Sequence, residues 1–175
     1  IGLGIPAEPL FRSRDSDNRV IYSNNNKYGL MVSSGANLNI NLETSKLKMQ
    51  ANQADIYVTD NSTMTITGGG NQDIDVDMEL SNVLLKAEHG LIEVKEDFNI
   101  SEVKNMGALS TGKDSSIKFN GNLTLSNMDE FGLVAQDGGK INAKANVEVE
   151  MEGIGVHSEG QNSEIIIKSL GNTNN

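Results

Sequence analysis

The chain is 175 residues long, with a formal net charge of −10 and a sequence pI of about 4.6. That balance leaves no basic face to neutralise phosphates, which argues against nucleic acid and anionic membrane surfaces as partners. Apolar residues make up 37 % and aromatics 4 %, enough only for a narrow core of Ile, Leu, Val and Met, and no run suits a membrane span.

Residues 1–19 stand apart as a lead-in or cap segment. They hold both prolines, Pro6 and Pro9, and all three arginines, Arg12, Arg14 and Arg19 (the last residue of the segment). Val20-Ile21-Tyr22 follows and reads as the third strand of an incomplete rung. Then comes a recurrent phrase: Tyr28-Gly29-Leu30-Met31-Val32, Asp55-Ile56-Tyr57-Val58, Asn82-Val83-Leu84-Leu85, Met106-Gly107-Ala108-Leu109, Phe131-Gly132-Leu133-Val134-Ala135 and Ile154-Gly155-Val156-His157-Ser158. Aligned on their second residues, the phrases recur every ~23–27 residues, the spacing of a solenoid.

Each phrase is followed by a second short run with apolar residues at alternate positions. These are Leu38-Ile40-Leu42, Met64-Ile66, Leu91-Ile92-Val94, Ile117-Phe119, Ile141-Ala143 and Ile165-Ile167. A third run follows in five of the six repeats: Leu47-Met49, Ile74-Val76-Met78, Phe98-Ile100, Leu123-Leu125 and Val147-Val149-Met151. Alternation is the period of a half-buried strand. The predicted fold is all-β: a parallel β-helix over residues 20–175, with three short strands per rung and about six rungs. One rung cannot bury its apolar face alone, so stability must come from stacking rung on rung.

The punctuation agrees. Ser33-Ser34-Gly35, Thr67-Gly68-Gly69-Gly70, Glu88-His89-Gly90, Ser110-Thr111-Gly112, Gln136-Asp137-Gly138-Gly139 and Ser158-Glu159-Gly160 are corner sequences, rich in residues that tolerate positive φ. The chain has 22 Asn, and Asn at a corner can share amide hydrogen bonds with Asn on the next rung. The chain has no cysteine, which suits a protein kept extended during export. Residue 1 is Ile, and the last rung lacks its third run. Both points lead us to expect a piece of a longer chain.

Chemistry is sparse. Asp73, Asp75, Asp77 and Glu79 lie on one strand face, as do Glu148, Glu150 and Glu152 two rungs later. Such carboxylates can hold Ca²⁺, but they also suit a solvated face that discourages edge pairing. We favour the second reading and expect neither a metal nor a cofactor. His89 and His157, the only histidines, sit about three rungs apart and cannot share an ion. The outward positions of the first strands read as Met31, Ser33, Tyr57, Thr59, Lys86, Glu88, Ser110, Gln136, His157 and Glu159. Only Glu88 and Glu159 are acidic there, about 14 Å apart at rung spacing. An inverting glycosidase pair sits roughly 6.5–9.5 Å apart. A polysaccharide-cleaving β-helix, such as a depolymerase, is therefore the alternative and not the leading reading, and no catalytic residue is assigned. The sequons at Asn61, Asn99 and Asn122 are taken as chance matches in an Asn-rich chain.

The phrases Tyr28-Gly29-Leu30, Phe131-Gly132-Leu133-Val134-Ala135 and Ile154-Gly155-Val156-His157-Ser158-Glu159-Gly160, each leading into an alternating strand, resemble the passenger region of type V autotransporters. These are surface proteins of Gram-negative bacteria. The resemblance covers residues 20–170. It implies a right-handed parallel β-helix, exported through the outer membrane and displayed at the cell surface as an adhesin segment or rigid stalk. Implied partners are a host cell-surface protein or glycan, or neighbouring bacterial cells. The parent chain would carry further rungs and a C-terminal translocator. The widest gap between strands, Gly69, Gly70, Asn71 and Gln72 with the acidic continuation Asp73, Asp75 and Asp77, is the predicted partner-binding segment, because loops carry binding on a rigid scaffold.

Overall fold

The computed structural model describes residues 20–25, 27–41, 46–51, 53–67, 74–77, 82–101 and 103–170. For 20–25, 46–51, 74–77 and 170 it describes the backbone alone. The lead-in 1–19 and Gly69–Asp73 of the predicted binding segment lie outside the described residues. All regular structure among the described residues is strand.

Six strands form the first face: β2 (Tyr28–Val32), β5 (Ala54–Thr59), β8 (Val83–Glu88), β11 (Met106–Thr111), β14 (Phe131–Gln136) and β16 (Ile154–Glu159). The second face stacks β3 (Asn37–Asn41), β6 (Thr63–Thr67), β9 (Leu91–Val94), β12 (Ser116–Phe119), the first half of β15 (Lys140–Glu150) and β17 (Glu164–Leu170). The third face stacks β7 (Ile74–Asp77), β10 (Phe98–Ser101), β13 (Leu123–Ser126) and the second half of β15. At the start of the chain β1 (Val20–Asn25) pairs with β4 (Lys46–Ala51) as a separate two-stranded sheet. Every pairing is parallel. The molecule is a parallel β-solenoid with three strands per turn, as the triplet pattern predicts.

Register turns the alternation into columns. On the first face Leu30, Ile56, Leu85, Ala108, Leu133 and Val156 stack inward. On the second, Ile40, Ile66, Val94, Phe119, Ala143 and Ile167 do so. From the third, Phe98, Leu123 and Val147 complete the core. Phe98 and Phe119 lie fully within it with ring centroids 6.0 Å apart. Each buried Leu, Ile or Phe contributes about 1.5–3 kcal/mol. Because each contacts the rung above and below, that energy belongs to the stack and not to any one turn.

The glycine of the recurrent phrase marks a close approach. A Cβ on Gly132 would lie 2.5 Å from the Gly155 carbonyl oxygen on the next rung and 2.9 Å from Leu125 Cδ1. Corners between the first and second faces are held by left-handed residues, among them Asp60, His89, Asp137 and Asn162, whose φ lies between 50° and 63°. The expected Asn-on-Asn bond forms at one other corner, and a mixed ladder forms at a second. Asn105 Nδ2 donates to Asn82 Oδ1 at 3.3 Å. Asn122 binds Asp97 through its backbone N–H and Nδ2, and its Oδ1 accepts from the Asn146 N–H at 3.3 Å.

Two sequence expectations need correction. Ile141-Ala143 and Val147-Met151 were expected as separate strands, yet residues 140–150 form one strand that bridges two faces. In the preceding rung Gly121 makes that corner, in a position where a Cβ would fall 2.3 Å from the Glu96 carbonyl carbon. Rung five has Lys144-Ala145-Asn146 instead, and the chain runs on extended with a register shift against β17. The second correction is a one-residue slip. The phrase alignment paired Asn82 with Met106, whereas Val83 is the true partner. Asn82 belongs to the corner ladder, and a slip of one residue would exchange the faces of every side chain on the strand.

Candidate functional site

The outer side of the first face is not simply solvated. Three columns run along it in register. The first is Tyr28, Ala54, Val83, Met106, Phe131 and Ile154, with β5 and β8 set by the Ile56–Leu85 pairing. The second is Met31, Tyr57, Lys86, Leu109, Val134 and His157. The third is Thr59, Glu88, Thr111, Gln136 and Glu159. The first two columns are mostly apolar. Ala54, Val83, Leu109 and Val134 form a cluster separate from the core, with Tyr28, Tyr57, Met106 and Phe131 packed on it. Leu109 keeps 8 % and Val134 only 1 % of its surface exposed although both point away from the interior. Met31 and Ile154, at opposite ends of the strip, are half exposed, at 52 % and 50 %.

The ends differ in chemistry. At the β2 end the rings of Tyr28 and Tyr57 stack with centroids 4.5 Å apart, under the ammonium groups of Lys27 and Lys86. Tyr57 donates its hydroxyl to Glu88 Oε2 at 2.9 Å, and Lys86 Nζ lies 2.8 Å from the same oxygen. Lys86, then the Tyr57 hydroxyl, holds the Glu88 carboxyl below its usual range. Partial burial, more than any other cause, pushes the Tyr57 phenol up. At the β16 end the Phe131 ring meets His157 at 5.3 Å, and His157 Nε2 lies 3.3 Å from Glu159 Oε2. Gln136 Nε2 donates to Glu159 Oε1 at 2.6 Å. The strip is thus an apolar ladder about 24 Å long at rung spacing, bordered on one side by polar side chains. It carries Lys27, Lys86 and Glu88 toward one end and His157 with Glu159 at the other. The centre of the strip is covered, with Ala54, Val83, Leu109 and Val134 buried, so only the partly exposed Tyr28, Tyr57, Met106 and Phe131 and the half-exposed Met31 and Ile154 reach solvent.

Of the predicted outward residues, Met31, Tyr57, Lys86, Glu88, Gln136, His157 and Glu159 lie on this face. Ser110 does not. It is buried, in line with Ala87 and Ala135, and Leu109 takes the outward position. Thr59 is in the third column but nearly covered, at 7 % exposure. Glu88 and Glu159 are three register steps apart with Thr111 and Gln136 between them. His89 sits at a corner, where its Nδ1 is 3.0 Å from the Lys113 carbonyl oxygen, far from His157.

The predicted binding segment is only partly visible. Asp75 and Asp77 are placed on β7 by backbone pairing with Asn99 and Ser101, while their side chains lie outside the described residues. Asp75 and Glu148 share one column but are three steps apart, not two, separated by Asn99 and Thr124. Among the described residues no three His, Cys, Asp or Glu side chains come together as metal ligands. A groove of about 490 Å³ opens at the corner before Phe131, lined by Asn127, Met128, Asp129, Glu150, Met151 and Glu152.

The sequence carried a signal for the outer ladder that the alternation rule passes over. Ala108-Leu109 and Leu133-Val134 are adjacent apolar pairs, and a strand apolar on consecutive positions is covered on both faces. No protein-family model, curated protein or solved structure matches the chain.

Proposed function

We propose that this chain is a binding segment of a surface-displayed bacterial adhesin, built as a β-solenoid that holds a rigid contact face. The apolar ladder on the outer side of the first sheet carries the reading. Its part-exposed members, with Met31 and Ile154 half exposed at the two ends, are the ones open to a partner, and rung stacking fixes their rows, so little entropy is lost on contact. The likeness of the repeat phrases to autotransporter passengers supports display outside the cell. In that reading the coil continues into further rungs and a C-terminal translocator, and the partner is a host surface protein or glycan, or a neighbouring cell. Gly69–Asp77 remains a second candidate contact.

The test is saturable binding of the purified chain to whole epithelial cells and a glycan array, alongside Ile154→Lys. Ile154 is half exposed at the strip's end, so the substitution leaves the core untouched. Binding that falls at least tenfold in the variant supports the outer ladder. Unchanged binding would move the site elsewhere, with deletion of 69–73 as the next test. A folded chain that binds nothing would be a spacer.

A further inference from the structure

We infer that Asn120–Gly121 is a site of spontaneous deamidation, restrained by the carboxylate of Glu93. The inference is independent of what the chain binds. The Asn-Gly pair occurs once in the chain, and the fold itself demands the glycine. Gly121 turns the corner from the second face to the third, where a Cβ would lie 2.3 Å from the Glu96 carbonyl carbon and 2.4 Å from the Asp97 nitrogen. No side chain therefore shields the Gly121 nitrogen, the atom that attacks the preceding amide. Asparagine is among the chemically labile residues of proteins, and a following glycine leaves it most open.

Backbone pairing also sets this asparagine apart. Asn120 donates its N–H to the Val94 carbonyl oxygen at 2.9 Å. The Gly121 N–H meets no acceptor among the described residues. The nitrogens that follow Asn61 and Asn105 are tied down instead. Ser62 donates to the Thr59 carbonyl oxygen at 3.0 Å, and Met106 to that of Asn82 at 2.8 Å. At Asn120 the nucleophile is free and the amide is anchored. Its Nδ2 donates to Glu93 Oε1 at 2.9 Å, and Lys95 Nζ lies 2.7 Å from the same oxygen. Lys95, then Asn120, holds the Glu93 carboxyl below its usual range, so it is ionised at neutral pH. A charge-assisted bond restrains the side chain and makes the amide carbon less electrophilic. Asn120 Oδ1 is buried with no hydrogen-bond partner among the described residues, so no donor polarises the carbonyl. Both effects slow the attack, and Glu93 supplies the first.

The step needs only water and hydroxide. The Gly121 nitrogen gives its proton to hydroxide and bonds to Asn120 Cγ. The Cγ–Nδ2 bond breaks, and the nitrogen leaves as ammonia with a proton taken from water. Water then opens the five-membered ring at either carbonyl carbon, leaving aspartate or isoaspartate. Either product puts a second carboxylate beside Glu93, and like charges on neighbouring strands destabilise their pairing. Lys95 and Lys118, both near Glu93, offset part of that. Isoaspartate also lengthens the main chain by one carbon, at a corner too tight for a single Cβ. Conversion therefore loosens the seam between the rungs of β9 and β12.

Incubation of the intact folded chain in mildly alkaline buffer, then proteolytic mapping and mass spectrometry, reads the conversion as a one-unit gain in mass. Residue 120 is expected to convert faster than Asn61, Asn105 or Asn122, with isoaspartate among the products. Glu93→Ala is expected to speed the conversion several-fold. Asn122→Ala weakens the same corner without touching the Asn120 amide, and it is expected to leave the rate unchanged. Far-UV circular dichroism confirms the fold of both variants. Retention of the amide in both the unaltered chain and Glu93→Ala would overturn the site. So would conversion spread evenly over the asparagines. Equal acceleration in Glu93→Ala and Asn122→Ala would show that rung opening sets the pace and overturn the part given to Glu93.

Discussion

Phe119→Ala should be among the most damaging single truncations in this fold. Its side chain is wholly buried, stacked between Val94 below and Ala143 above, with Phe98 at 6.0 Å from the third face. Phe→Ala in a core costs about 3–5 kcal/mol, a range that takes in the aromatic pair's share of about 0.5–1.5 kcal/mol. Against a typical total of about 5–15 kcal/mol, a fifth of the stability or more would go. Small neighbours sharpen the test. Ala143 leaves the space above Phe119 to the ring itself, so moving the ring up one rung in Phe119→Ala/Ala143→Phe should recover about 1–2 kcal/mol of interaction energy, the range of coupled neighbours. Urea denaturation followed by far-UV circular dichroism gives each value. A second signature is expected, because rungs interact only with neighbours: the single variant should broaden the transition or lower the m-value as outer rungs melt apart from inner ones. A cost below about 1 kcal/mol, or no coupling in the double variant, would refute the stacked-column account of stability.

Gly132→Ala is expected to cost about 1–3 kcal/mol through overpacking, since its Cβ would lie 2.5 Å from a backbone carbonyl oxygen. Gly35→Ala, in open space at φ 71°, should lose only the left-handed strain of about 1–2 kcal/mol, and thermal melts of the two separate the causes. Glu88 contributes stability above its usual pKa of 4.5, and that part is lost as pH falls through its depressed folded value. The side chain is 37 % exposed, so the effect is less than about 1 kcal/mol. It should vanish in Glu88→Gln, as read from the pH dependence of the urea midpoint. Asn122→Ala should cost about 1 kcal/mol, as it removes the side-chain bonds to Asp97 and to the Asn146 N–H. A neutral result would mean the corner ladder is solvent-replaceable.

The inward residues were legible from alternation because a parallel coil forces one side chain in and the next out. Ile56 and Val58, Met64 and Ile66, and Ile92 and Val94 are all buried as their spacing requires. Corner residues were legible too, since Gly, Asn and Asp are the types that accept positive φ. The outer ladder was not. Placing Ser110 outside and missing Leu109 came from a register error, and register depends on which residues of adjacent rungs exchange hydrogen bonds. Asn82 shows the same limit: its type fits a strand start or a corner, and only the bond to Asn105 decides.

The sequence by itself determined the coil: three strands per turn, a narrow aliphatic interior, and a net acidic charge. These follow from composition and local period, which act over a few residues. The tertiary structure alone decided which side chains of different rungs share a row. Tyr28 stacks on Tyr57 across 29 residues of chain, and Phe131 meets His157 across 26, only because parallel pairing fixes each strand's register on the last. A surface assembled from one or two residues per turn has no local signature, since its neighbours in space are a full turn apart in sequence.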